Sequence, residues 1–154
     1  MSELPKTSAR LLLLNGPNLN MLGRRDPKQY GTFTLADVEE LTRRTAAGFG
    51  YGLDCFQSNH EGDLVDRIQA AIGQYAGILI NAGALTHYSY ALRDAIELCG
   101  LPVMEIHISD IYKREPFRHL SVIHPVCCGQ VVGLGLDSYR LGTEQLCQVL
   151  KGQS

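Results

Sequence analysis

Two short stretches of this sequence carry residue types able to move protons. Glu105 and His107 lie two apart in the apolar run 103–108, and Tyr30 follows Arg24 and Arg25 in the polar run 23–31. Alternate residues of an extended strand emerge on one face. Glu105 and His107 therefore point together, with Met104, Ile106 and Ile108 on the opposite side. A carboxylate hydrogen-bonded to an imidazole fixes its tautomer and favours its protonated form, which suits the ring to act as a general acid near neutral pH. The same pairing also occurs as a purely structural contact. A phenol ionises near pH 10, so only about one molecule in 10³ is phenolate at pH 7. A guanidinium within ~4–6 Å lowers an acid's pKa by roughly 1–3 units, enough to raise that fraction to about one in ten. Arg24 or Arg25 could supply this charge to Tyr30; otherwise such a cluster is a surface stacking pair.

Further polar groups recur where apolar runs end. Asn15-Gly-Pro-Asn18 follows the first run, Asn81 through Thr86-His87 the third, and Ser109 the fourth; Lys113, Arg114 and Arg118 come close behind. Guanidiniums hold carboxylates and bridge hydroxyls, although a solvated basic turn has the same composition. His60, His87, His119 and His124 show no metal-binding spacing, and no glycine-rich phosphate-binding motif occurs. Neither a metal nor a nucleotide cofactor is expected.

These groups need a scaffold. Arg10–Asn15, 51–57, Gly77–Asn81, 103–108 and 126–134 read as strands. Helical periodicity follows Thr34 (Leu35, Val38, Leu41, Thr45), runs from Leu64 through Val65, Ile68, Ala71 and Ile72 to Tyr75, and recurs over Leu92, Ala95, Ile96 and Cys99. A last helix, capped by Asp137, carries Leu146, Val149 and Leu150. Apolar strands alternating with helices predict an α/β fold, a flavodoxin-like three-layer sandwich with a five-stranded parallel sheet. Ligands of such sheets sit outside the carboxyl ends of the strands, which gathers the scattered groups at one edge. The connection 16–33 is about 18 residues long, against the usual 2–6, and reads as a structureless lid closing on an anion.

At 154 residues the chain suits a single domain, 1–154, with a loose N-terminal segment at 1–9. Sixteen acidic against fourteen basic residues give a net charge of −2, which offers nucleic acid or a membrane surface no electrostatic attraction. No apolar run approaches the ~20 residues of a membrane span. The leucines at 11–14 end at Asn15, short of the roughly 7–15 residues of a secretory core, so a cytoplasmic location is expected. Cys55, Cys99, Cys127, Cys128 and Cys147 lack C-x-x-C spacing and read as buried structural thiols.

Seven ordered blocks together closely resemble type II 3-dehydroquinate dehydratase. They are Asn15-Gly-Pro-Asn-Leu-Asn20, Gly23-Arg-Arg-Asp-Pro27 with Tyr30-Gly31, Gln57-Ser-Asn-His-Glu-Gly62, Asn81-Ala-Gly-Ala-Leu-Thr-His87, Ala91-Leu-Arg-Asp94, Glu105-Ile-His-Ile-Ser109 and Arg114-Glu-Pro-Phe-Arg118. Tyr88, Asp110, Tyr112, Leu120 and the Cys127-Cys128 pair depart from the family pattern. The resemblance implies a lyase that removes water from 3-dehydroquinate by anti elimination through an enolate, without a cofactor, in the shikimate pathway. It implies Tyr30 as base, Arg25 stabilising the phenolate, His107 as acid oriented by Glu105, and Asn18 steadying the enolate through a water. Asn81, His87, Ser109 with the Ile108–Ser109 amides, and Arg118 would bind the substrate, assisted by Arg114. It also implies a homododecamer of trimers in which Asp94, facing away from its own sheet, crosses the trimer interface. The alternatives are the same reaction in quinate catabolism, an inactive scaffold relative, or a flavin-binding module on the same architecture.

Overall fold

Four consecutive leucines set the layers. The computed structural model describes residues 9–153, and in it Leu11, Leu12, Leu13 and Leu14 are all fully buried within strand β1 (Arg10–Asn15). Successive side chains of a strand point to opposite faces. Leu11 and Leu13 accordingly join one apolar core and Leu12 and Leu14 another. Only a sheet covered on both sides buries such a run completely.

The remaining strands are β2 (Gly52–Gln57), β3 (Gly77–Asn81), β4 (Val103–His107) and β5 (Gly129–Val132). All pair in parallel, in the order β2-β1-β3-β4-β5. Helices α2 (Leu35–Gly48) and α5 (Asp137–Gly152) pack on the Leu11 and Leu13 face; α3 (Glu61–Ala71) and α4 (Tyr90–Cys99) pack on the other. This is the expected flavodoxin-like three-layer arrangement. The strand order reverses between β1 and β3, the switch point at which such sheets bind ligands. Asn15 and Asn81 lie side by side there in the β1–β3 register. The connections that follow them touch backbone to backbone: a Cβ on Gly16 would lie 2.6 Å from the Ala82 carbonyl oxygen.

Local chemistry accounts for the differences from expectation. The connection 16–33 is not structureless, because it holds a 3₁₀ turn at Leu19–Met21 and a short helix α1 (Pro27–Tyr30). Asp26 starts α1 by accepting from the Lys28 amide, with Pro27 supplying its fixed φ at the first helical position. Thr34 does cap α2, in a reciprocal capping box with Asp37. The buried stripe of α2 is Val38, Thr42 and Ala46, with Leu35 and Leu41 half-buried. Thr42 fits because its hydroxyl donates to the Val38 carbonyl.

Three more expectations need correction. Helix α3 ends at Ala71, leaving Ile72 half exposed. Strand β5 is shorter than 126–134, since His124–Val126 forms a 3₁₀ turn ahead of it. Asp137 does not cap α5; it is the first helical residue, and its carboxylate accepts from Arg140. The cysteines also divide: Cys99 and Cys147 are buried, Cys55 and Cys127 partly so, and Cys128 is exposed. Cys127 and Cys128 precede β5 rather than lying in it, so strand alternation does not orient them. Residues 1–8 of the expected loose segment lie outside the described residues.

Gly16→Ala should force the β1 and β3 connections apart at a backbone contact that cannot yield like a side chain. It is expected to cost on the order of 1–3 kcal/mol, read as a lower urea midpoint. An unchanged midpoint would show that the close approach is not needed.

Candidate active site

The carboxyl ends of β1, β3 and β4 open onto a cleft of about 550 Å³, part of it open to solvent. The expected site residues Asn18, Arg25, Tyr30, Asn81, His87, His107, Ile108, Ser109, Arg114 and Arg118 all line it. Glu105 lies directly behind His107. Asp94 does not reach the cleft; it is exposed on α4, whose Leu92, Ala95 and Ile96 face the core.

Strand alternation does on β4 what the sequence implies. Met104, Ile106 and Ile108 enter the α2–α5 core, while Glu105 and His107 turn together to the other face. Glu105 is fully buried, with one carboxylate oxygen 2.5 Å from His107 Nε2 and accepting from the Ser121 hydroxyl at 2.8 Å. Burial pushes the carboxyl up. The hydrogen bond and charge of His107, with the Ser121 hydroxyl, outweigh burial and hold Glu105 below the ordinary carboxylate range. An anion thus stands behind the ring at neutral pH, leaving Nδ1 of His107 for the cleft.

Tyr30 ends α1, which swings the phenol over the mouth of the cleft. The Arg25 guanidinium carbon lies 3.6 Å from the centre of the Tyr30 ring, stacked on its face. Arg114, not Arg25, reaches the oxygen: its Nη1 donates to the Tyr30 hydroxyl at 2.8 Å and to Ser109 Oγ at 3.1 Å. The phenol is therefore covered by one cation and hydrogen-bonded by a second. Burial first, and then the neighbouring guanidiniums of Arg114 and Arg118, lower Arg25 from its usual value.

The remaining polar groups are held by partners deeper in the fold. Asn81 accepts from the Gly83 amide and donates to the Tyr139 hydroxyl, which donates in turn to Asn15 Oδ1 at 2.7 Å. Burial raises the Tyr139 phenol, so it is a neutral relay. His87 Nδ1 lies 2.8 Å from the Leu120 carbonyl oxygen, a contact that needs the proton on that nitrogen. Burial lowers His87, and His107 and Arg118 add to the effect, which leaves a neutral ring with Nε2 free to accept. Its plane lies 20° from that of His107 at a centroid separation of 6.4 Å. Arg118 is steadied by Glu115, to which its Nε donates at 2.9 Å. Among the described residues no group of three or more His, Cys, Asp or Glu side chains is placed to hold a metal ion.

Comparisons with known proteins show the family. The model for Dehydroquinase class II matches residues 9–147. The chain belongs to this family. A curated relative from Anoxybacillus flavithermus, named 3-dehydroquinate dehydratase, is 54% identical over 144 residues, covering 94% of this chain and 97% of the relative. One of the same name from Bacillus subtilis is 52% identical, over 93% and 97%. The crystal structure of type II dehydroquinase from Butyrivibrio crossotus superposes with a TM-score of 0.87 at 42% identity, covering 91% of this chain and 98% of that one. That from Propionibacterium acnes gives 0.86 at 37%, covering 92% and 97%.

Several groups around this cleft are not evident from the sequence. Ser121 and Tyr139 carry no motif of their own; only the buried polar partners of Glu105 and Asn81 reveal them. Asn59 donates no side chain to the cleft, yet its Oδ1 accepts from the backbone of Asn18. It lies in the block 57–62, the one block left without a role.

The Glu105 carboxyl supplies a pH test of this geometry. Because its folded value is depressed, its contribution to stability is complete above its unfolded value, near 4.5, and is lost as pH falls through the folded value. The stability difference between wild type and Glu105→Gln should therefore rise with pH below about 4.5 and level off above it. Denaturant unfolding at stepped pH measures it. A difference flat across that window would mean the carboxylate gains nothing from His107 and Ser121.

Proposed function

We propose that the enzyme dehydrates 3-dehydroquinate to 3-dehydroshikimate by a cofactor-free anti elimination, as one step of the shikimate pathway. The observation that carries the reading is a phenol between two guanidiniums facing an imidazole backed by a buried carboxylate in one cleft. Tyr30, as phenolate, takes the proton α to the substrate ketone. The C–H electrons move to the carbonyl oxygen and give an enolate. As the enolate collapses, His107 protonates the departing hydroxyl and water leaves. General acid–base contributions of this kind are typically 10²–10⁴-fold each.

The other residues bind and orient. Arg25 and Arg114 stabilise the phenolate, the first across the ring and the second at its oxygen. Glu105 holds the His107 ring. Asn18 steadies the enolate oxygen through a water. Asn81, His87, Arg118 and Ser109 with the Ile108–Ser109 amides hold the carboxylate and hydroxyls. Asp94, exposed and remote from its own cleft, completes the site of a neighbouring subunit in a trimer, four of which form a dodecamer. We place the enzyme in the cytoplasm, acting as one domain. An intact set of Arg25, Tyr30, Glu105 and His107 speaks against a scaffold relative, which needs no such set.

Dehydration conjugates the ketone, so product is followed by its ultraviolet absorbance. Tyr30→Phe should lose at least about 10²-fold in kcat while remaining folded by circular dichroism. Normal turnover by this variant would remove the base assignment, and absence of product with the wild type would favour the scaffold. Asp94→Ala should raise KM in an oligomer of unchanged mass. Wild-type kinetics in that variant would remove the cross-subunit role.

A further inference from the structure

Asn18 has the one left-handed backbone conformation outside glycine among the described residues, at φ 72° and ψ −2°. Such a conformation costs an L residue energy and persists only where its surroundings hold it, most often at functional sites. Asn18 lines the cleft, and its side-chain amide makes no hydrogen bond among the described residues. A residue that is strained, exposed and has its amide uncommitted is being held for something other than the fold.

Two neighbours hold it. On one side, the loop after β3 presses against its turn, since a Cβ on Gly83 would come within 2.9 Å of the Pro17 carbonyl oxygen. On the other, the Asn18 N–H donates to Asn59 Oδ1 at 2.9 Å. Asn59 Oδ1 also accepts from Gln57 Nε2 at 3.2 Å, and the same Nε2 reaches the Gly16 carbonyl at 3.2 Å. Gln57 ends β2 and Asn59 lies just before α3, so the block 57–62 clasps the β1 connection from the side.

We propose that Asn59 is a positioning residue for catalysis, locking the Asn18 peptide in its left-handed form so that the Asn18 amide faces the reacting oxygen. The proposal rests on the enolate-steadying role given to Asn18 above. Without the acceptor at residue 59, the Asn18 N–H turns to water. The backbone relaxes toward negative φ and carries the amide away from the cleft. An interaction made mainly with the enolate affects kcat more than KM.

The test is steady-state kinetics by product absorbance on five proteins: wild type, Asn59→Ala, Asn18→Ala, the double variant, and Asn59→Asp as rescue. Asn59→Ala should lower kcat about tenfold, a loss in line with one hydrogen bond, with KM and the thermal midpoint little changed. Asn59→Asp keeps an acceptor oxygen and should recover most of the loss. In the Asn18→Ala background, Asn59→Ala should cost nothing further, because it acts through Asn18. A wild-type kcat for Asn59→Ala, or an equal loss in both backgrounds, would overturn the proposal. Should Asn59→Ala fail to fold, amide exchange in the wild type decides: protection of the Asn18 N–H is expected, and unprotected exchange overturns it. An inactive wild type would instead refute the dehydratase reading.

Discussion

The carboxylate of Glu105, withdrawn completely from water, is the constraint around which the site is organised. A lone buried anion is among the most costly groups a fold can contain, and it persists only with partners on its oxygens. His107 supplies one from the same face of β4, and Ser121 another from the chain beyond the basic turn. The strand and that following segment are thereby fixed relative to each other. Arg114 and Arg118, which lie between them in sequence, have little choice of position. Among the described residues the second carboxylate oxygen has no hydrogen-bond partner, and His124 Nδ1 lies 3.7 Å away. The pair with His107 is thus the main outlet for the charge.

The second organising element is a meeting of two backbones rather than of side chains. Gly16 and Gly83 let the β1 and β3 connections approach more closely than any Cβ would permit. Asn18 and Asn81 consequently flank one opening at the switch point of the sheet. Tyr139 ties Asn81, and Asn15 beside it at the end of β1, to α5 on the far side of the core, so the polar rim is anchored through the middle of the protein.

Much of this was legible in the sequence because it follows from period and position. Four leucines in a row announce a doubly covered strand, and Glu105 with His107 announce a shared face. The rule that ligands sit at strand ends is enough to place Asn18, Asn81, His87 and Ser109 together. What could not be read depends on distance across the fold. Nothing near Tyr30 says that Arg114, 84 residues away, takes the phenol oxygen while nearby Arg25 takes the ring face. Proximity in sequence pointed to Arg25, which does lie against the ring, and gave no sign of the hydrogen bond from Arg114. The short α1 was missed for another reason: its Asp26-Pro27 start signal is local and clear, but one turn leaves no periodicity to detect.

The bond between Arg114 and Tyr30 joins two surface connections that, among the described residues, share no other side-chain hydrogen bond across the cleft mouth. The phenol has Arg25 against its ring from its own connection and Arg114 at its oxygen from another, 84 residues further along the chain. Its surroundings are therefore a property of the folded chain, and a shift of either connection would change the charge around that oxygen.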